Sequence, residues 1–234
     1  MFCLEISIHC NPKLEAAIAQ QQSGLSLNLD KQQLSDDDMK IVAQQMVITK
    51  RYRSLSVAYN EITSRGSSFL ANALCNNMTL QELWLSTNRI SDTGVRYLAQ
   101  ALMVNKTLKK LGLARNEITD AGVLYLIDML KKNKTLTMLG LAMNKIGDHG
   151  VQMLADTLAQ NNTTLETLTL DRNPLMTDKS VDVLIYMMKR NRAIKELWIN
   201  ECNISEIGQR RLQETSDSKK HFKLVTVYEK QTNN

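Results

Sequence analysis

Leu27, Leu55, Leu83, Leu111 and Leu139 fall 28 residues apart, and the positions around them repeat in step. Two residues after each comes an apolar side chain: Leu29, Val57, Leu85, Leu113 or Leu141. Three further on stands Gln32, Asn60, Asn88, Asn116 or Asn144, and two beyond that Leu34, Ile62, Ile90, Ile118 or Ile146. A single globular core has no use for such a period. A stack of like units does, because each unit covers its apolar face only with its neighbours. The period therefore dictates an elongated solenoid.

The unit LKKLGLARNEITDAGVLYLIDMLKKNKT, which begins at Leu108, shows the grammar. Its opening alternates, with Leu108, Leu111 and Leu113 inward and Lys110 and Gly112 on the other face, which is strand spacing. Asn116 ends the strand, where a buried amide can bond the backbone groups freed by a bend. Thr119-Asp120 signals a helix start and Gly122 supplies a close-packing position. Val123, Leu126 and Leu130 follow at helical spacing. Lys131, Lys132 and Lys134 fall at the helix C-terminal end, where positive charge suits the dipole. Each unit is thus a short strand plus a helix, and the strands stack in parallel. The expected fold is an α/β solenoid of about eight repeats of 28–29 residues. Insertions near Asn161–Thr164 and Asn173–Pro174 move later strands to Leu168–Leu170 and Leu197–Ile199 without losing phase. Val225-Thr226-Val227 is expected to close the stack, and Ile6, Ile8 and Asn11 to begin it. The chain, 1–234, reads as one domain: an irregular N-terminal unit at 1–24, regular repeats over 25–215, and a closing strand and tail over 216–234.

The formal charge of +5 is mildly basic, short of the dense clusters of a nucleic-acid binder. Cys3, Cys10, Cys75 and Cys202 and the scattered His9, His149 and His221 form no metal-ligand spacing, so no metal is expected and the cysteines read as free thiols of a reducing compartment. The N-terminus lacks a secretory pattern, and no run of about 18 apolar residues suggests a membrane span. Asn-x-Thr triplets at Asn77, Asn105, Asn133, Asn161 and Asn162 recur with the repeat and read as structural turns. The run Asp36-Asp37-Asp38 reads as helix capping. No catalytic motif, phosphate loop or cofactor site appears, so an enzyme is not expected. The localisation expected is cytoplasmic.

The pattern L-x-x-L-x-L-x-x-N-x-I-x-x-x-G-x-x-x-L-x-x-x-L resembles the ribonuclease-inhibitor-type leucine-rich repeat over about residues 23–215. It is similar to the recognition regions of NOD-like receptors, to ribonuclease inhibitor and to the Ran GTPase-activating protein. The resemblance implies a curved horseshoe segment with strands on the concave side and helices outside. It implies no chemistry. Ribonuclease inhibitor is acidic and rich in cysteine, unlike this chain, so ribonuclease inhibition is not expected. Residues 1–22 leave no room for a receptor's nucleotide-binding domain. The chain is expected to be a stand-alone solenoid or part of a larger receptor, and compact solenoids of this type also occur among bacterial effectors delivered into host cells.

The residues between the inward leucines form a sheet face free to carry function. Both tryptophans, Trp84 and Trp198, fall in one column of it, about 19 Å apart over four strand spacings, with Gly112 and Gly140 between them. Tryptophan is enriched at protein-binding hot spots. The expected site is a groove with a small-residue floor and an aromatic wall at each end. Glu82, Lys110, Arg115, Asp171, Arg172 and Glu196 supply mixed charge around it, Met138 and Met143 adaptable contact, and Tyr59 and Tyr228 a secondary pair. The function expected is a monomeric, non-catalytic module that binds another protein through its concave face, in innate-immune-type sensing or as an effector acting on a host protein. The alternatives are a GTPase-activating solenoid, for which Arg115 and Arg172 are available but an acidic tail is missing, and a nucleic-acid or anionic-membrane binder using Arg210, Arg211, Lys219, Lys220 and Lys223.

Overall fold

The phase of the leucines becomes the register of a sheet. The structure, a computed structural model, describes residues 10–21, 25–49 and 52–226. A helix α1 (Pro12–Gln20) precedes seven strand–helix steps and a closing strand. The strands are β1 (Ser26–Asn28), β2 (Ser54–Ser56), β3 (Glu82–Trp84), β4 (Lys110–Gly112), β5 (Met138–Gly140), β6 (Thr167–Thr169), β7 (Glu196–Trp198) and β8 (Lys223–Val225). They form one parallel sheet in sequence order. Leu27, Leu55, Leu83, Leu111, Leu139, Leu168, Leu197 and Leu224 stand side by side across it. The helices between them are α2 (Asp38–Thr49), α3 (Ser64–Asn76), α4 (Ser91–Val104), α5 (Asp120–Lys132), α6 (Asp148–Gln160), α7 (Val181–Arg190, led in by a 3-10 turn) and α8 (Glu206–Asp217). Strands sit about 4.8 Å apart and packed helices about 8–10 Å apart. The strand side is therefore the short, concave arc.

The closing strand differs from the expected one. It is Lys223–Val225, with Leu224 rather than Val225 beside Leu197, because the last step spans 27 residues instead of 28. The turn before it is tightened by His221, which adopts φ 62°. Ile6 and Ile8 lie outside the described residues, and Asn11 caps α1 by accepting from Leu14 N–H.

Buried polar side chains tie the coils together. Asn60, Asn88, Asn116, Asn144 and Asn173 form one ladder along the strand ends. Asn144 donates to Leu113, Leu141 and Ala142 carbonyls, while its Oδ1 accepts from Asn116 and Ile118 N–H. A second ladder at the helix C-terminal ends uses the asparagines of the Asn-x-Thr triplets. Asn105 Nδ2 donates back to the Leu74 and Asn77 carbonyls of the preceding coil, and Asn133 repeats this one coil later. These side chains are 4% exposed or less at Asn77, Asn105, Asn133 and Asn162, so those four triplets are structural, while Asn161 is exposed. A third series was not evident in the sequence. Asp36, Asp92, Asp120 and Asp148 each accept the N–H of the residue before the next coil's helix, and at Thr63, Thr119 and Thr177 the hydroxyl as well. Gly66, Gly122 and Gly150 exist because a Cβ there would lie 2.4–2.5 Å from that carboxylate. Within Asp36-Asp37-Asp38, Asp38 acts as a local cap, accepting from Ser35 N–H and hydroxyl.

Beside the first and last described strands, other side chains take ladder places. Gln21 presents its carboxamide to the outer edge of β1, donating to Asn28 O and accepting from Asn28 N–H at 2.9 Å each, as a further strand would. At the other end Lys219 takes the next place in the second ladder, its ammonium donating to the Met188 and Asn191 carbonyls.

The concave face and its rim

The sheet face carries the same tripeptide twice: Glu82-Leu83-Trp84 in β3 and Glu196-Leu197-Trp198 in β7. In each, the indole N–H is taken by the glutamate two residues earlier, and a Lys-Leu pair follows in the neighbouring strand. Lys110 Nζ lies 2.8 Å from Glu82 Oε1, and this contact is the main reason the Glu82 carboxyl is held below its ordinary range against the opposing effect of burial.

The two indoles then diverge. A Cβ on Gly112 would meet Trp84 Cε3 at 2.5 Å, so the Trp84 ring lies down over the next strand. The in-register neighbour of Trp198 is Val225, whose side chain occupies the corresponding space. Trp198 carries Lys223 over its ring instead, 5.3 Å from the centroid. The expected groove is corrected accordingly. Trp84 roofs Gly112 rather than standing as a wall, and the open floor shrinks to Gly140, where a Cβ would find its nearest atoms at 3.5 Å. Met138 and Glu196 border a depression of about 410 Å³ here with Trp84, Lys110, Thr137 and Thr167.

The other expected site residues lie on the rim. Tyr59, Thr87, Arg115, Met143, Arg172 and Glu201 occupy one repeat position and share φ between 50° and 57°. Left-handed backbone at a non-glycine residue costs roughly 1–2 kcal/mol. Hydrogen bonds that extend the sheet offset it: Tyr59, Arg115 and Met143 N–H donate to carbonyls of the next coil at 2.7–2.9 Å. The kink turns each following asparagine inward and each of these side chains out. Tyr59 is 53% and Met143 38% exposed, which marks the row as displayed surface. A depression of about 590 Å³ runs along it, also lined by Arg89, Arg115 and Glu117. Arg172 pairs with Glu201 at 2.7 Å. Asp171 sits just inside the rim with its carboxylate turned onto Asn200 N–H and Nδ2 at 2.8 Å. Burial raises its pKa despite these bonds, so it is glue between coils more than a displayed charge. Tyr228 lies outside the described residues. The structure thus gathers Glu82, Trp84, Lys110, Met138, Glu196 and Trp198 on the floor and Tyr59, Arg115, Met143 and Arg172 on the rim. Arg89 and Glu117 were missed, and the one signal for them was their shared place two residues after the rim position.

Among the described residues, no group of His, Cys, Asp and Glu is arranged to hold a metal ion, and no helix is long and apolar enough to cross a membrane. Several of the basic residues grouped in the sequence near the C-terminus have partners within the fold. Arg211 pairs with Asp182, Lys219 bonds carbonyls, and Lys223 covers Trp198.

No curated protein matches the sequence. Residues 76–99, 104–126 and 132–155 match the leucine-rich-repeat family. Among solved structures, the chain is similar to the actin-binding site 2 of leiomodin-1, with TM-score 0.51 and 22% identity over 78% of this chain and 97% of that one. It is also similar to the tropomodulin C-terminal domain from Caenorhabditis elegans, with TM-score 0.50 and 17% identity over 62% of this chain and 87% of that one. With the family match, the eight parallel strands and the helix after each of the first seven, the chain is an α/β solenoid of leucine-rich repeats.

Proposed function

We propose that the chain is a non-catalytic protein-interaction module that receives its partner on the concave strand face. The observation that carries this reading is the repeated Glu-Leu-Trp. Two large aromatic side chains, each with its N–H already satisfied, stand on a face that core packing leaves free. Trp84 over Gly112, beside the open Gly140 floor and the Glu82–Lys110 pair, is the anchor, and Trp198 with Glu196 is the second contact. The rim residues Tyr59, Arg115, Met143 and Arg172 give specificity around them. Immune-type sensing and action of an effector on a host protein would both use this surface, in the cytoplasm and as a monomer.

Leiomodin-1 is described by an actin-binding site on a solenoid of this fold, which makes actin the first partner to try. The test is pelleting with actin filaments and capture from cytosol, each run with wild type and with Trp84→Ala, Trp198→Ala. A partner whose affinity falls at least tenfold in the variants, with unchanged circular dichroism, supports the reading. A partner retained equally by wild type and both variants refutes it.

A further inference from the structure

All helices of the solenoid run the same way, so their C-terminal ends, with partial negative charge, share one edge. Cations there are expected, as with Lys131 and Lys132 on α5. The end of α7 goes beyond that need. Between α7, the start of β7 and the α8–β8 turn lies a depression of about 410 Å³ whose lining holds Lys189, Arg192, Lys195, Lys219, Lys220 and His221 and no carboxylate. Lys195 is paired from outside with Glu166 at 2.8 Å, and Lys219 is committed to the Met188 and Asn191 carbonyls. Among the described residues, Lys189, Arg192 and Lys220 take part in no ion pair. One helix end offers about half a negative charge, and three further cations exceed it several-fold.

We propose that this depression is a binding site for a group carrying several phosphates. Phosphate fits better than a carboxylate because lysines dominate. They act as point charges that can crowd one polyanion from several directions, and Arg192 adds a planar fork. Phe222 and Ile194 form an apolar floor beneath them. Lys219 is the fixed part of the site, held by its two carbonyls, and burial has already lowered its pKa, so an anion placed there gains from a partly desolvated cation. The site lies off the strand face and stands independently of any partner bound there.

The probe is inorganic tripolyphosphate, titrated calorimetrically into the whole chain at low salt. Lys189→Gln with Arg192→Gln removes two exposed cations of the site. Lys131→Gln with Lys132→Gln removes two exposed cations from the end of α5 and serves as the matched control. The proposal expects affinity to fall at least tenfold in the first variant and less than twofold in the second and in Trp84→Ala. Equal losses in both double variants, or no binding by wild type, would overturn it. Vesicles of phosphatidylcholine with and without phosphatidylinositol bisphosphate then separate the sources. Vesicle binding lost with Lys189→Gln, Arg192→Gln assigns the phosphates to a lipid headgroup, and tripolyphosphate binding without it assigns them to a soluble ligand. A single-stranded oligonucleotide that binds more tightly than tripolyphosphate and weakens equally in both double variants would replace the site by diffuse surface charge.

Discussion

Replacing Asn144 by alanine should be among the most damaging single changes in the molecule, and the structure says why. Asn144 Oδ1 is the acceptor for two N–H groups, Asn116 at 2.9 Å and Ile118 at 3.1 Å, and its Nδ2 serves Leu113 O at 3.0 Å. Its other two carbonyls keep partners: Leu141 O still receives Asn173 Nδ2, and Ala142 O still receives Arg115 N–H. The substitution therefore strands three buried backbone groups. At about 1–3 kcal/mol each, reduced by relaxation and water entry, the cost is about 3–5 kcal/mol. The chain contains its own control. Cys202 stands where the next ladder asparagine would, with Sγ near Leu170 O at 3.4 Å. A thiol is a weaker acceptor than Oδ1: it keeps the Asn173 N–H, the counterpart of Asn116 N–H, and the coil before it has adapted in place of the second bond. The extra residue in that coil lets Met176 N–H, the counterpart of Ile118 N–H, bond Asn173 O at 3.1 Å. Cys202→Ala strands one N–H where Asn144→Ala strands three groups, so it should cost about 1–2 kcal/mol, although Asn144 and Cys202 occupy equivalent places. Urea unfolding followed by far-ultraviolet circular dichroism measures both. Equal costs for the two variants, or a cost below about 1 kcal/mol for Asn144→Ala, would refute the reasoning.

Gly112→Ala should turn the Trp84 indole off the sheet, because the new Cβ starts 2.5 Å from Cε3, whereas Gly140→Ala meets nothing closer than 3.5 Å; in a Trp198→Phe background the first shifts the emission of Trp84 and costs about 1 kcal/mol or more, and the second does neither. Glu82 has a depressed pKa, so its pairing contributes stability above the ordinary glutamate range and loses it as pH falls through the folded value. Lys110→Met should raise the Glu82 pKa towards its ordinary value, visible by NMR titration, and flatten that acid limb, with a loss at neutral pH of no more than about 1 kcal/mol because both side chains are partly exposed; an unmoved Glu82 titration would show that Lys110 is not the cause.

What was legible in the sequence is what the repeat enforces. Leu27 through Leu197 could be placed because a strand core tolerates one kind of side chain there, and the asparagine column because a bent, buried backbone needs an amide. The last strand was misplaced by one residue because the final step is 27 residues rather than 28, and Leu224 reaches the column through the turn at His221. The site was legible as a face but not as a shape. Gly112 and Gly140 look alike in sequence, yet one is roofed by an indole and the other is open, and the difference lies in the rotamer of Trp84 rather than in either glycine. The rim was hidden for a related reason. A residue at φ near 55° is commonly announced by glycine or asparagine, and here the position holds Tyr59, Thr87, Arg115 and Met143. A glycine would have removed the strain and the side chain together. The chain keeps bulky residues in a strained backbone that the sheet's own hydrogen bonds hold in place. Strain borne at successive coils by outward side chains supports extending the proposed recognition surface from the floor to the rim.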